Sequence, residues 1–222
     1  MENKSNIKEN SNGTIEIKNL QGEVLFSNTQ EYNSIKATLE KAVSEKVSLE
    51  GADLKGISLI NANMRGANLR FADLSNTDLR KADFSYSSLK SAKLSYSDLS
   101  NADLSNADLS NADLSNTNIK GTDFSKSNLW GTNFHLANSL RKAAISFADL
   151  SRAKTDKRYL QISCIGSEKR TTTYCFEDDL ILCGCFKGTL NEFKKRVLII
   201  HKENSQYLKE YLGAIAYIKS LK

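Results

Sequence analysis

From Leu49 to Phe134 an apolar side chain falls at every fifth position, eighteen times in succession without a miss. Leucine takes most of these slots, and Met64, Phe84, Ile119, Phe124 and Phe134 take others. Two residues ahead of most of them sits a small or β-branched residue, as at Ala52, Ala62, Ala72, Thr77, Ala82, Ser87, Ala102 and Thr122. A period of five fits neither the 3.6 of a helix nor the 2 of a strand. It also excludes a coiled coil, which needs 3.5. One slot filled by several apolar residue types is a packing constraint, not low complexity.

The residue between the small and apolar positions is nearly always Asp, Asn or Ser. The block Ala102-Asp103-Leu104-Ser105-Asn106, repeated at 107–111 and 112–116, follows the pattern A-(D/N)-L-x-x. Residues 47–155 resemble the pentapeptide-repeat family on these motifs. The resemblance implies a mainly β fold, a right-handed quadrilateral β-helix with four repeats per coil and one on each face. The small and central apolar residues then point inward and the other three outward. Leucine and phenylalanine would stack in close-packed ladders, and Asp and Asn would take up local backbone hydrogen bonds at the corners. The absence of proline, where about 11 would be usual in a chain this long, suits a long run of strand pairing. One register break is expected between His135 and Ser139, after which the frame resumes at Leu140, Ile145 and Leu150. About five coils would give a rod on the order of 25 Å long.

A solenoid needs capped ends. Residues 1–13 are polar and are expected to be loose. Residues 14–46 read as an α+β N-terminal cap. Ile15 and Ile17 alternate with polar residues, Gln21-Gly22 turns, and Val24-Leu25-Phe26 returns as a hairpin. A helix then starts at Asn33 or Ser34, with Ile35, Leu39 and Val43 on one face.

In residues 156–222 the period of five is gone. Tyr159–Ile165, Thr171–Phe176 and Leu180–Phe186 read as three strands. Thr189-Leu190-Asn191-Glu192 is a capping box, and its helix places Phe193, Val197 and Ile200 on one face. A second helix over about 205–221 has Tyr207, Tyr211, Ile215 and Ile218 in phase. The segment Cys183–Phe193, with His201 and Tyr211, resembles a C-terminal α+β module of uncharacterised phage and prophage proteins.

Charge narrows the function. The net +5 divides into −1 over residues 1–48, +2 over 49–155 and +4 over 156–222. None of these is the strong basic field of a dedicated nucleic-acid binder. No apolar run reaches the roughly 18 residues of a membrane span, and the polar first 14 residues lack a secretory h-region. A cytoplasmic protein is expected. There is no P-loop, G-x-G-x-x-G or H-E-x-x-H motif, and no nucleophile–base–carboxylate set, so a non-enzyme without cofactor is expected.

Cys164, Cys175, Cys183 and Cys185 all lie in the last module. C-x-C is not the spacing of a zinc knuckle, so they read as buried thiols with no metal. Arg170, Thr172 and His201 are candidate ligands for a phosphate or nucleotide. Between Lys93 and Lys120 there is no basic residue, and Asp98, Asp103, Asp108 and Asp113 would ring one coil. Asp83, Asp103 and Asp123, twenty apart, would stack on one face. The family resemblance attaches DNA mimicry directed at DNA gyrase to such an array. The +2 balance of the repeat segment argues for the plainer reading, that Asp is a corner residue. Trp130, expected to be exposed, and Phe71, Tyr86 and Tyr96 are candidate partner contacts.

These readings converge on a non-catalytic binding protein. The phage-like C-terminus points to an inhibitor that occupies a host or defence protein through the solenoid surface and the last module. The alternatives are a DNA mimic acting on gyrase and a protein that sequesters a nucleotide signal. A homodimer paired through the ends of the β-helix is compatible with any of them.

Overall fold

Each repeat settles its own backbone hydrogen bonds. In Ala102–Asn106 of the computed structural model, all five N–H groups find acceptors. Ala102 donates to the Leu99 carbonyl (2.9 Å), closing a turn. Asp103 donates to Ala82 (2.9 Å), while Leu104 and Asn106 donate to Asp123 (2.7 Å) and Ser125 (2.9 Å) on the other side. The remaining N–H, of Ser105, donates to the Asp103 carboxylate at 2.8 Å. The Asp or Asn of the motif therefore supplies the one acceptor the backbone lacks.

Stacking follows from the same bonds. Asp83 pairs in parallel with Asp103, and Asp103 with Asp123; the same twenty-residue step runs from Asp53↔Asp73 to Asp113↔Asn133. Four repeats thus make one turn of a β solenoid. All eighteen central apolar residues from Leu49 to Phe134 are buried. Burying one Leu or Phe contributes about 1.5–3 kcal/mol, so the ladder is the core. Where the small slot holds threonine, its hydroxyl is satisfied inside: Thr122 and Thr132 Oγ1 donate to the Leu99 (2.8 Å) and Leu109 (2.9 Å) carbonyls. The residue two after each central one turns the corner with positive φ, from Gly51 to Leu136. Glycine and asparagine tolerate this best, yet Phe71, Tyr86 and Tyr96 hold the same conformation at φ 58–62°.

The structure describes residues 7, 13–29, 34–137, 159–165, 170–175, 180–183 and 186–220. The side chains of 159–165, 170, 171, 173, 175, 180, 182 and 205 are not among them. The register break after His135 and the frame at Leu140, Ile145 and Leu150 lie outside the described residues. So does the expected loose N-terminus, apart from Gly13 and the buried Ile7. The described residues fall into two compact units, one up to 137 and one from 159.

In the first unit, β1 (Thr14–Lys18) and β2 (Val24–Thr29) form an antiparallel hairpin, followed by α1 (Ile35–Ser44). Ser34 caps α1 by accepting the Ala37 N–H. Leu39 is buried with Thr38 and Ala42, while Ile35 and Val43, expected beside Leu39, are only partly buried. The hairpin closes one stretch of the first coil's open edge. Asp53 N–H donates to the Lys18 carbonyl (2.8 Å) and Leu20 N–H to that of Gly51 (3.0 Å). Helix α1 closes another, where Glu40 Oε1 accepts the Asn63 N–H (2.8 Å) and Lys36 Nζ donates to the Ile60 carbonyl (3.2 Å).

The second unit is an antiparallel meander of β3 (Tyr159–Ile165), β4 (Arg170–Cys175), β5 (Leu180–Cys183) and β6 (Phe186–Thr189), then α2 (Leu190–Ile200) and α3 (Ser205–Ser220). The expected single strand over 180–186 is two strands. Cys183 pairs with Phe186, so only two residues separate β5 from β6. The glycine at 184 was the available turn signal, and β5 ends at Cys183. The capping box forms: Thr189 Oγ1 accepts the Glu192 N–H and the Glu192 carboxylate accepts the Thr189 N–H. Leu190, Phe193 and Val197 are buried, whereas Ile200, expected beside them, is 56% exposed. Tyr211, Ala214, Ile215 and Ile218 of α3 complete this core with Tyr174 and Ile181. Among the described residues no helix is long and apolar enough to cross a membrane.

Candidate functional site

The carboxylates of the coil surface are held, not floating. Asp98, Asp103, Asp108, Asp113 and Asp123 each accept the N–H of the serine two residues on, at 2.8–3.1 Å. Every one of them is half-buried. One oxygen of each is committed to the corner, and Asp113 Oδ1 also accepts from Asn133 Nδ2 at 2.9 Å. The second oxygen is the one the corner bond leaves to outside partners.

The expected ring exists, since Asp98, Asp103, Asp108 and Asp113 stand on four successive faces. Stacking separates them. Asp103 lies between Asp83 and Asp123, an unbroken carboxylate ladder. Asp108 lies between Ser88 and Asn128, and Asp113 between Lys93 and Asn133. Asp98 has Asp78 on one side and Asn118 on the other. Asp78 is gripped by Arg80 (Nε–Oδ1 2.8 Å, Nη2–Oδ2 2.7 Å). That bond holds the Asp78 carboxyl below its ordinary 3.8, against a smaller opposing effect of burial. Only one face of four therefore carries a continuous stripe of carboxylates.

Trp130 is half-buried, not exposed as expected. Its N–H donates to Asn128 Oδ1 (3.1 Å) and its carbonyl accepts from Asn111 (2.8 Å). Phe71, Tyr86 and Tyr96 are exposed by 47, 57 and 64%. The Arg65 guanidinium lies 4.3 Å from the Tyr86 ring centre and donates to Ser85 Oγ (2.5 Å). Arg70 lies 5.7 Å from the Phe71 ring centre. In the sequence these arginines enter only through the net +2 of the repeat segment. The missed signal is that Tyr86, Lys90, Lys93 and Tyr96 all fall in the acid-free run between Asp83 and Asp98.

Of the three candidate nucleotide residues of the second unit, Thr172 and His201 have described side chains. Thr172 is buried, and its hydroxyl donates to Cys183 Sγ at 3.1 Å. It is spent on the core, because a strand residue two before the buried Tyr174 faces the same side. His201 ends α2 and stacks on Tyr211, with ring centres 5.1 Å apart and planes at 25°. Tyr207 meets it edge-on at 6.2 Å. The side chain of Arg170 lies outside the described residues, as do those of Cys164, Cys175 and Cys185.

A rod of twenty-residue coils with an apolar axis and a patterned polar surface defines a β solenoid of the pentapeptide type. The sequence agrees: residues 48–85, 87–125 and 118–154 match the model of pentapeptide repeats, in 8 copies. This repeat region belongs to the pentapeptide-repeat family. No curated protein matches the chain. Among solved structures it is similar to the pentapeptide repeat protein Rfr23 from the cyanobacterium Cyanothece 51142, at 29% identity over 45% of this chain and 60% of that one, TM-score 0.31. It is also similar to a trypsin-treated form of QnrB1, a plasmid-mediated fluoroquinolone resistance protein, at 26% identity over 46% and 54%, TM-score 0.31. A third is alr5209, a pentapeptide repeat protein from Nostoc Pcc 7120, at 30% identity over 45% and 65%, TM-score 0.26. The chain spans less than two thirds of each of these proteins.

Proposed function

We propose that this chain is a non-catalytic binding protein whose stacked coils present a fixed pattern of side chains to a partner protein. Pentapeptide-repeat proteins are in general structural or binding proteins. The observation that carries the reading is the surface itself. Carboxylates pinned by corner bonds and exposed aromatics on left-handed corners are pre-positioned, so little side-chain entropy is lost when a partner docks. The finer reading is an inhibitor of phage type that occupies a host or defence protein. It rests on the likeness of residues 183–211 to phage modules.

The Asp83–Asp103–Asp123 ladder favours a second reading, mimicry of a phosphate backbone toward DNA gyrase. The ladder occupies one face, and residues 49–155 carry a net +2, so mimicry would be confined to a single stripe. A nucleotide-sequestering role loses Thr172 to the core.

One experiment separates the first two. The full chain is immobilised and challenged with host-type lysate and, separately, with purified gyrase, as wild type and as the double variant Asp103→Asn, Asp123→Asn. A single stoichiometric protein other than gyrase, retained by the double variant, supports the inhibitor reading. Inhibited supercoiling that the double variant relieves supports mimicry. Substrate turnover by the purified chain would sink both.

A further inference from the structure

The exposed aromatics of the coils sit together, and they sit with cations. Tyr86, Lys90, Lys93 and Tyr96 follow one another along two adjoining faces of a single coil. Arg65, Arg70 and Phe71 lie on the coil before it, stacked under Ser85, Lys90 and Ser91 by the twenty-residue step. Carboxylates border the cations of this band: Asp73, which pairs with Lys93 at 3.8 Å, and Glu40 of α1, which lines a cavity with Arg65. Lys93 is nevertheless 60% exposed. The band ends abruptly, at Glu50 beneath Arg70 and at Asp108 and Asp113 above Ser88 and Lys93.

The aromatics are there against local preference. At positive φ a bulky side chain is disfavoured, and the neighbouring coils put Asn106 in Tyr86's column, Asn76 and Asn116 in Tyr96's, and Ser91 in Phe71's. The solenoid does not need rings at these corners, so their presence points to contact outside the chain.

We infer that this band binds a short stretch of single-stranded nucleic acid. Aromatic platforms interleaved with cations match what unpaired bases and their phosphates require. Carboxylates bound the band on every side, Glu50, Asp108 and Asp113 along the axis and Asp83 and Asp98 around it, so only a short stretch fits between them. About three to four phosphates can be neutralised by Arg65, Arg70, Lys90 and Lys93. The band shares its exposed aromatics with the surface proposed above for a partner protein, and the assay below reads nucleic-acid binding separately from it.

The test uses the full chain and fluorescein-labelled dT12, followed by fluorescence anisotropy. Binding is expected at low salt, with log K falling against log salt at a slope of about −2 to −3. Tyr86→Asn and Tyr96→Asn, which place at each corner the residue its own column already holds, are each expected to weaken binding about five-fold or more. Lys90→Gln is expected to flatten the slope by about 0.7. Absence of binding at 50 mM salt and ~100 μM protein overturns the inference. Binding that both asparagine variants leave unchanged overturns it as well, since only diffuse charge would then be at work. Displacement of dT12 by polyglutamate at equal charge concentration, with the same loss in the asparagine variants, would reassign the band to an acidic protein segment.

Discussion

Asp103 Oδ1 sits 2.8 Å from the backbone nitrogen of Ser105, and this bond explains why the motif reads A-(D/N)-L. Asn118, Asn128 and Asn133 make the same bond to residues 120, 130 and 135 at 3.1–3.3 Å. The corner needs a side-chain oxygen, not a charge. Asp103→Asn is therefore expected to leave stability within about 0.5 kcal/mol. Asp103→Ala orphans a partly buried N–H and is expected to cost about 1 kcal/mol. Urea denaturation of the two variants beside wild type checks both. Equal loss in the two would mean that the carboxylate acts through its charge.

Gly121 and Asn101 occupy the same corner one coil apart. A Cβ at residue 121 would stand 2.6 Å from Asn101 Oδ1, and φ there is +75°. Gly121→Ala is expected to destabilise by about 1–2 kcal/mol from the left-handed backbone alone, with the Asn101 amide displaced in addition. The exchange Asn101→Gly with Gly121→Asn again puts one amide and one glycine in the column. It should lie closer to wild type than Gly121→Ala does, and thermal unfolding of the two variants beside wild type reads this out.

The repeat carried most of the fold in plain sight. Leu49 to Phe134 are buried where the five-residue slot places them, because a solenoid turns a local motif into a tertiary contact through a constant twenty-residue step. Ser34 and Thr189 were legible as caps because each donor or acceptor they satisfy lies within three residues. The misses depended on what stands opposite. Ile200 is in phase with Phe193 and Val197 yet exposed, at the last position of α2. Trp130 is at an outward position yet half-buried. Gly184 was read through as strand, because the Cys183↔Phe186 pairing is a cross-strand fact. The aromatic-cation band was hidden for the same reason: Arg65 and Tyr86 are 21 residues apart in sequence and become neighbours only through stacking.

The Arg80–Asp78 fork has a pH signature. Arg80's bonds favour the carboxylate, so the folded-state pKa of Asp78 lies below the unfolded 3.8. Linkage then makes the pair's contribution fully present above 3.8 and lost as pH falls through the lower folded value. Arg80→Gln should raise the Asp78 carboxyl pKa toward 3.8, as followed by carboxyl-carbon NMR. The variant's stability should converge with that of wild type as the pH drops below the folded value. A carboxyl that titrates unchanged in the variant would mean that the fork is not made in solution.

Thr189 starts α2 with both arms of its box closed. The Glu192 carboxylate lies 2.7 Å from the Thr189 N–H, and Thr189 Oγ1 3.2 Å from the Glu192 N–H. Thr189→Ala removes one arm and is expected to cost about 1 kcal/mol of local helix stability. Thr189→Ser keeps both arms and should cost little. Because β6 runs directly into α2, the loss should appear as faster hydrogen exchange at the amides of Phe193 and Lys194, the first to bond within the helix. Protection of the coil amides, such as Leu104 N–H, should not change. Faster exchange in both units would show that they unfold together, and the cap would then report on the whole chain rather than on its own helix.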